Sequence, residues 1–331
     1  MADRLAIVTP TFNRRVDLCE CLDSILASTV VPDRVIVSDD CSTDDTVEWV
    51  RAHYPSVEVV VAARNSGVSS ARNAGAARAL TDCDLILFID SDATLAPDAI
   101  GHLLQAMQAH RDAGMCGPKI YYHDPANRIW WAGATISLVT GRTKYRGDED
   151  DAGQYEVSIK TGHIPTVFMV RREVFERIGG FDPTYFIIFD ESDFAERAIQ
   201  SGFSIYYVPK ARAWHKLSFS GFSDADQRAQ QTLGVRNPDR AYLISRNRIL
   251  YMRKLAGFGG RIAFFTVFMP LLTAYYVIRS GLIGRWDIAA GALRGVVDGL
   301  RFKPGERFVR LPSVDGGFAT TGPDPSARQQ A

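Results

Sequence analysis

The sequence predicts an α/β fold: a mostly parallel sheet flanked by helices, with a hydrophobic helical appendage towards its C-terminal end. Three observations predict it. Short apolar runs alternate with segments of helical spacing through the first third of the chain, the pattern of parallel strands joined by right-handed crossovers. Two of those runs end in paired acids, at the strand edge where ligands gather in an open parallel sheet. Beyond Arg240 the chain turns basic and then apolar, with no acid between Asp239 and Asp287.

Leu5-Ala6-Ile7-Val8 reads as the first strand and runs into the turn Thr9-Pro10-Thr11-Phe12-Asn13-Arg14. Val16, Cys19, Leu22, Ile25 and Leu26 then recur at helical spacing, which turns Cys19 towards the core. Arg34-Val35-Ile36-Val37 forms the second strand and ends in Ser38-Asp39-Asp40. Ser42 stands three residues ahead of Asp45, a capping-box pattern for a helix through Val47 and Val50. A third strand, Val57 to Val61, precedes the segment Asn65 to Gly75, whose two glycines permit close backbone approach.

The fourth run, Leu85 to Ile89, reads as a strand buried on both faces and delivers Asp90-Ser91-Asp92. Residues two apart on extended backbone point the same way, so both carboxylates face one pocket while Ser91 turns aside. Two carboxylates so aimed suit a hard divalent cation carrying a diphosphate. Taken alone, acidic pairs after strands are also ordinary turn or helix-cap residues.

From about Met115 the alternation gives way to hairpin-like segments and longer loops. Tyr121, Tyr122, Trp130, Trp131 and Tyr145 suit stacking on sugar rings and suit a core equally well, and Asp148 to Asp151 reads as a solvated loop. Phe181-Asp182-Pro183 leads through Tyr185 to Phe189 into Asp190-Glu191-Ser192-Asp193. Phe194, Ala195, Ala198 and Ile199 keep helical spacing from there until Gly202. The acids therefore start a helix, whose dipole favours ionised carboxylates.

Thr-Pro-Thr-Phe-Asn-Arg from Thr9, Ser-Asp-Asp-Cys-Ser-Thr-Asp from Ser38, Asn-Ser-Gly-Val-Ser-Ser-Ala-Arg-Asn-Ala-Gly from Asn65 and Asp-Ser-Asp from Asp90 form an ordered set. In order and spacing it resembles the family 2 glycosyltransferases with the GT-A fold. The similarity continues through Trp131-Ala132-Gly133, Gly179-Gly180-Phe181-Asp182 and Phe189 to Phe194, and reaches Trp214-His215. It implies a GT-A-type sheet and a metal-dependent transferase that inverts the anomeric carbon of a nucleoside-diphosphate sugar.

By the same resemblance, Thr9, Pro10, Phe12 and Asp40 hold the nucleoside with Asp39 as a helper. Asn65 and Gly67 line the donor site, and Arg72 supplies a cation near a base or phosphate. Asp90 takes a ribose hydroxyl. Asp92 and His215 ligate a divalent cation, Mg²⁺ or Mn²⁺; a hydrogen-bonded surface histidine is the alternative for His215. Glu191 falls on the catalytic base position with Asp190 beside it, in an order swapped relative to the family's Glu-Asp pair, so either carboxylate is a candidate. His163 stands where the family has a small residue, in the floor of the acceptor groove. The segments around Trp131, Tyr155 and Arg246-Asn247-Arg248 resemble bacterial rhamnosyltransferases. The implied partners are a UDP- or dTDP-linked donor and a glycan or lipid-linked acceptor in cell-surface polysaccharide synthesis. A nucleotidyltransferase and an inactive membrane-associated glycan-binding protein are the alternative functions.

At 331 residues, one large domain plus an appendage is expected. Residues 1–222 form the transferase domain, with a nucleotide-binding half at 1–114 and an acceptor half at 115–222. A basic, hydrophobic helical region follows at 223–310. A tail at 311–331, rich in Gly, Pro, Ser and Gln, is expected to be disordered. Zero formal net charge gives no support for nucleic acid as a partner. The five cysteines, Cys19, Cys21, Cys41, Cys83 and Cys116, show no ligand-like spacing and read as reduced thiols of a cytosolic protein. The N-terminal residues lack the pattern of a signal peptide.

The apolar run Ile262 to Ile278 is at the short limit for a spanning helix, and Pro270 interrupts it. Arginines flank it, and Tyr275 and Tyr276 suit an interface belt. The expected arrangement is a peripheral helix in the inner leaflet, at the cytoplasmic face of the cell membrane. A spanning hairpin with Ile288 to Leu300 and packing on a partner subunit are the alternatives.

Overall fold

The computed structural model describes residues 3–216, 226, 229–230, 233–235 and 237–305. The four apolar runs are strands β1 (Leu5–Thr11), β2 (Arg34–Asp39), β3 (Glu58–Val61) and β4 (Leu85–Ile89). They pair in parallel in the order β3–β2–β1–β4. Strand Val167–Arg171 adds antiparallel to β4, and strand Ala113–Tyr122 adds beyond it. The long strand Ser204–His215 runs parallel to Ala113–Tyr122. The sheet is therefore mixed, and its parallel part belongs to the first half. Side chains of β1 and β4 are buried along their whole length, as strands covered on both faces require.

Two local expectations are corrected. In the helix Arg15–Leu26 the buried residues are Leu18, Cys21, Leu22 and Ile25; Cys21 faces the core, while Cys19 is half-buried and Val16 and Leu26 are exposed. The 18, 21, 22, 25 set is an equally good helical stripe, and packing against the sheet selects it. The helix Thr46–His53 has no capping box. Asp44 takes the capping role, its Oδ1 accepting from the Thr46 backbone N at 3.1 Å and from the Thr46 hydroxyl at 2.5 Å.

The acidic stretch is more than a solvated loop. Glu149–Asp150 pairs with strand Arg128–Trp131, and Asp151 accepts from the Tyr121 hydroxyl at 2.5 Å and the buried Lys119 ammonium at 3.3 Å. Trp131 and Tyr121 are core residues, whereas Tyr145 is exposed.

The expected C-terminal helical appendage is present, and it is docked on the domain. Helix Pro238–Leu255 inserts the buried Lys254 between Asp182 and Asp193, at 2.8 and 2.9 Å. Helix Trp286–Arg301 crosses it closely. A Cβ on Gly291 or Gly295 would lie 2.3 Å from the carbonyl oxygens of Pro238 and Tyr242, so only glycine lets the two backbones meet. One face of the segment Ile288 to Leu300 is thereby buried in protein.

The apolar segment is also longer than the sequence indicates. Phe258–Leu282 is a single helix of 25 residues, and its most apolar 18-residue stretch has mean hydropathy 1.6. Pro270 does not break it, because a π-turn over Phe264–Phe268 directly precedes the proline and accommodates the missing N–H. The domain boundary near 222 and the tail at 311–331 lie outside the described residues.

Candidate active site

The C-terminal ends of β1, β2 and β4 converge on one edge of the sheet. After β1, the exposed Phe12 and Asn13 form the rim. Asn13 Oδ1 accepts from the Thr43 backbone N at 2.7 Å, which ties the β1 and β2 turns together. Thr9 and Pro10 lie inside the strand; the Thr9 hydroxyl is fully buried next to the Cys21 thiol and faces the core rather than the cleft.

Asp39 and Asp40 diverge. Asp39 is fully buried and accepts from the Ser42 backbone N at 2.9 Å and from the Ser42 hydroxyl, so it shapes its own turn. Asp40 reaches across to the next crossover, where its two oxygens accept from the backbone N–H groups of Ser66 and Gly67 at 2.9 and 2.7 Å. Burial pushes its carboxyl up to about 6; those two N–H groups oppose the shift and the Asp39 charge adds to it. Asn65 is exposed at the start of this segment. Gly67 has φ +88°, and a Cβ there would lie 2.5 Å from the Phe186 carbonyl oxygen. No other residue fits that position.

Beyond β4, Asp90, Asp92 and His215 each offer a ligand atom, and these atoms lie within 4.8 Å of one another. His215 Nε2 is 3.1 Å from Asp92 Oδ1, and Arg14 reaches Asp92 Oδ2 at 3.3 Å. Burial disfavours the Asp92 charge, but His215 and Arg14 outweigh it and hold the carboxyl below the usual range. His215 Nδ1 is buried without a partner among the described residues, and the Trp130 ring packs 4.7 Å from the imidazole. Two carboxylates and an imidazole fit a hard or borderline divalent cation.

Arg72 corrects the sequence expectation most directly. It is fully buried, and its guanidinium is the hub of three carboxylates: Asp190 at 2.6 Å, Asp90 at 2.7 Å and Glu191 at 2.5 Å. Its charge is already shared among these acids, so it links them instead of standing open beside a phosphate.

Asp190 and Glu191 begin the helix Asp190–Gln200, and Asp190 is the more deeply buried of the two. Burial pushes the Glu191 carboxyl up to about 8; Arg72 opposes the shift, and the charges of Asp190 and Asp90 add to it. Asp190 is likewise raised, first by burial.

Thr166 and the partner of Arg14 escaped the sequence reading. Thr166, with φ +64°, donates its N–H to Glu191 Oε1 at 3.1 Å and accepts from the Asp90 backbone N at 3.0 Å, which joins the candidate cation site to the acid pair. Arg14 falls inside the Thr9 to Arg14 motif but gave no signal of its partner. His163 is buried, with Nδ1 3.5 Å from the Ser192 hydroxyl; burial and then Arg72 lower its imidazole to about 4. It is neutral at ordinary pH.

A model of glycosyl transferase family 2 matches residues 6–179. An N-acetylglucosaminyl-diphospho-decaprenol L-rhamnosyltransferase of Mycobacterium tuberculosis is 27% identical over 245 residues, spanning 66% of this chain and 78% of that protein. An O-antigen chain rhamnosyltransferase of Salmonella typhimurium is 27% identical over 225 residues, with 66% and 68% spanned. Among solved structures, a mannosyltransferase of Pyrobaculum calidifontis in complex with GDP-Man and Mn²⁺ superposes with a TM-score of 0.53 at 17% identity, over 91% of this chain and 88% of that one. GalNAc-T7 with UDP, GalNAc and Mn²⁺ gives 0.59 at 15% identity over 76% of this chain and 48% of that one. These two likenesses concern the fold, which is of the GT-A type. The match to the family model covers more than half of the sequence, and the chain belongs to glycosyl transferase family 2.

Proposed function

We propose that this glycosyltransferase moves a sugar, rhamnose above all, from a UDP- or dTDP-linked donor to a lipid-linked or glycan acceptor, with inversion at the anomeric carbon. The observation that carries this reading is the Arg72 hub, which puts a candidate base and a candidate cation site on one guanidinium.

Glu191 takes the proton of an acceptor hydroxyl, and that oxygen attacks C1 of the donor sugar. The C1–O bond to the diphosphate breaks on the opposite side, and the nucleoside diphosphate leaves with the bonding electrons. Glu191 suits the role better than Asp190 because its side chain retains some exposure, 16% against 3%. Asp92 and His215, with Asp90 in reach, would hold a Mg²⁺ or Mn²⁺ ion, which when bound neutralises charge on the leaving diphosphate. Asp40, braced by the Ser66 and Gly67 backbone, and the exposed Phe12 would face the nucleobase, and Asp90 the ribose.

The acceptor class follows the relatives, two of which are named for rhamnosyl transfer to a diphospho-decaprenol and to O-antigen chain. The apolar helix supports attachment at the cytoplasmic face of the membrane. Ile262, Val267, Leu271, Ile278 and Leu282 are exposed along one side of it, while Phe264 is buried on the other and Phe268, Leu272 and Tyr276 pack against the protein core there. The π-turn re-phases the outer stripe across the five-residue step from Ile262 to Val267. One lipid face and one protein face suit a helix lying in the interface rather than crossing it. Residues 1–222 would then be the catalytic domain and 223–310 its membrane-facing brace.

The test is transfer from dTDP-rhamnose to a lipid-linked diphospho-sugar with Mn²⁺, with the product read by NMR. An inverted anomeric centre and dependence on cation support the proposal. Retention of configuration, or full activity in excess EDTA, overturns it.

A further inference from the structure

A small apolar pocket of about 20 Å³ lies between helix Pro238–Leu255 and the apolar helix, lined among others by Arg248, Ile249, Phe264, Met269, Leu272 and Tyr276. Arg248 is its one charged lining residue. The neighbouring cations on the same helix are engaged: Arg246 donates to the Thr184 carbonyl oxygen, Arg253 to those of Gly299 and Leu300, and Lys254 pairs with Asp182 and Asp193. Arg248 makes no hydrogen bond or ion pair among the described residues, and its Nε is buried without a partner. A half-buried guanidinium in that state calls for an anion.

The position of Arg248 says which anion. The hairpin Ala134–Ile136 and Thr143–Tyr145 turns at Gly141, φ +64°, where a Cβ would meet the Phe264 ring at 2.8 Å and the Arg248 stem at 3.1 Å. The hairpin thus closes over both cavity walls. Asn247, next along the helix, donates to the carbonyl oxygens of Ile187 and Ile188 in the loop that leads into the acid pair, so Arg248 stands between that loop and the apolar helix. No acid interrupts the chain from Arg240 to Trp286.

We propose that Arg248 binds the phosphate of the lipid-linked acceptor, a sugar diphosphate carried on an isoprenoid chain, whose carbons run outward along the apolar helix. The inference rests on the transfer reading above and names the part of the acceptor that this chain recognises.

The probe is farnesyl diphosphate, an acceptor mimic without sugar, added to the full chain in detergent micelles and followed by isothermal titration calorimetry. Wild type should bind it, and Arg248→Ala should bind at least about tenfold more weakly, the scale of a lost charge-assisted hydrogen bond. Arg248→Lys should recover part of the affinity. In transfer assays the loss in Arg248→Ala should fall on the acceptor KM and not on the donor KM. Far-UV circular dichroism and a melting curve establish that each variant is folded. If Arg248→Ala unfolds, Arg248→Gln takes its place. Equal binding by wild type and variant overturns the assignment, as does equal competition by dihexanoyl phosphatidylglycerol, which would make the site one for bulk anionic lipid. Should farnesyl diphosphate bind in an Arg248-dependent way while no nucleotide sugar is turned over, the site stands and the transfer reading falls.

Discussion

Asn247 holds the carbonyl of Ile188: its Nδ2 lies 2.8 Å from that oxygen, two residues before the acid pair. The same amide also reaches the carbonyl oxygens of Tyr185 and Ile187, at 3.0 and 2.9 Å. The loop it holds is strained, with φ of +64°, +71° and +71° at Phe186, Ile188 and Phe189. Left-handed backbone at non-glycine residues costs about 1–3 kcal/mol each and persists only where its surroundings dictate it. Fully buried Asn247 supplies that constraint from outside the region matched by the family model.

Replacing the donor by an acceptor tests this relationship. Asn247→Asp sets a carboxylate against three carbonyl oxygens, so the loop should relax and carry Glu191 with it. We expect kcat to fall by about tenfold or more, as small misplacements of a reacting group do, with the donor KM changed much less. A steady-state split of kcat from KM in Asn247→Asp and Asn247→Ala checks it. A uniform loss that tracks only the fraction of folded protein would refute positioning.

The Arg72 hub makes a stability prediction with a definite pH dependence. Arg72→Met leaves Asp90, Asp190 and Glu191 near one another without their common cation. Breaking a buried ion network from one side costs about 3–5 kcal/mol. Without the guanidinium, which opposes their upward shift, the folded-state pKa values of Asp190 and Glu191 rise further above their unfolded values. Their contribution is then fully present below the unfolded carboxylate range and is lost as pH rises. Urea unfolding should therefore show a wider gap between variant and wild type at pH 8 than at pH 5. A gap independent of pH would mean that the three acids do not share the charge.

The parts of this molecule that the sequence made legible are those written in local patterns. The strands β1 to β4 announce themselves as apolar runs, and Asp90 with Asp92 by their spacing of two on an extended backbone. Asp190 and Glu191 were visible as acids at a helix start. What stayed hidden depends on contacts remote in sequence. Arg72 is expected beside a base or phosphate, and only the fold reveals that it meets Asp190, 118 positions away. Thr166 joins two site elements through its backbone, which no side-chain motif can signal. Asn247 lies between two arginines in a segment that looks like a basic membrane flank. The face of the first helix was misjudged because Cys19 and Cys21 each fit a helical stripe, and tertiary packing alone decides between them.

The proposed cation site predicts a graded response to removal of the residues that would ligate the ion. Asp92→Asn retains shape but removes a charge, and His215→Ala removes the imidazole that hydrogen-bonds Asp92. Each should weaken Mn²⁺ binding by about 10–100-fold, the scale seen when residues that hold or orient a metal ligand are lost. Binding followed by Mn²⁺ electron paramagnetic resonance, with and without nucleoside diphosphate, measures this directly. Arg14→Ala should have the opposite sign at low salt, because it removes a cation 3.3 Å from Asp92 and with it a competitor for the incoming ion. Unchanged Mn²⁺ affinity in both Asp92→Asn and His215→Ala would move the ion elsewhere.

With Glu191 as the proposed base, activity is tied to pH through its carboxyl, which burial pushes up to about 8. A general base acts only when ionised, so kcat/KM should climb as pH rises from 6 and level off above about 8. His163 remains neutral over this interval and adds no limb of its own, because burial keeps its imidazole at about 4. Stability runs the other way. A carboxyl whose folded pKa exceeds its unfolded value binds its proton more tightly when folded. The stabilisation is fully present below the unfolded value near 4.5 and is lost as pH rises through about 8. The enzyme should therefore be most active where this group contributes least to folding. Glu191→Gln separates the two effects: it should lower turnover by about 10²–10⁴ and remove the climbing limb, while flattening the loss of stability between pH 5 and 8. If the limb near 8 persists in Glu191→Gln and vanishes in Asp190→Asn, the proton passes through Asp190 and the exposure argument that favoured Glu191 is wrong.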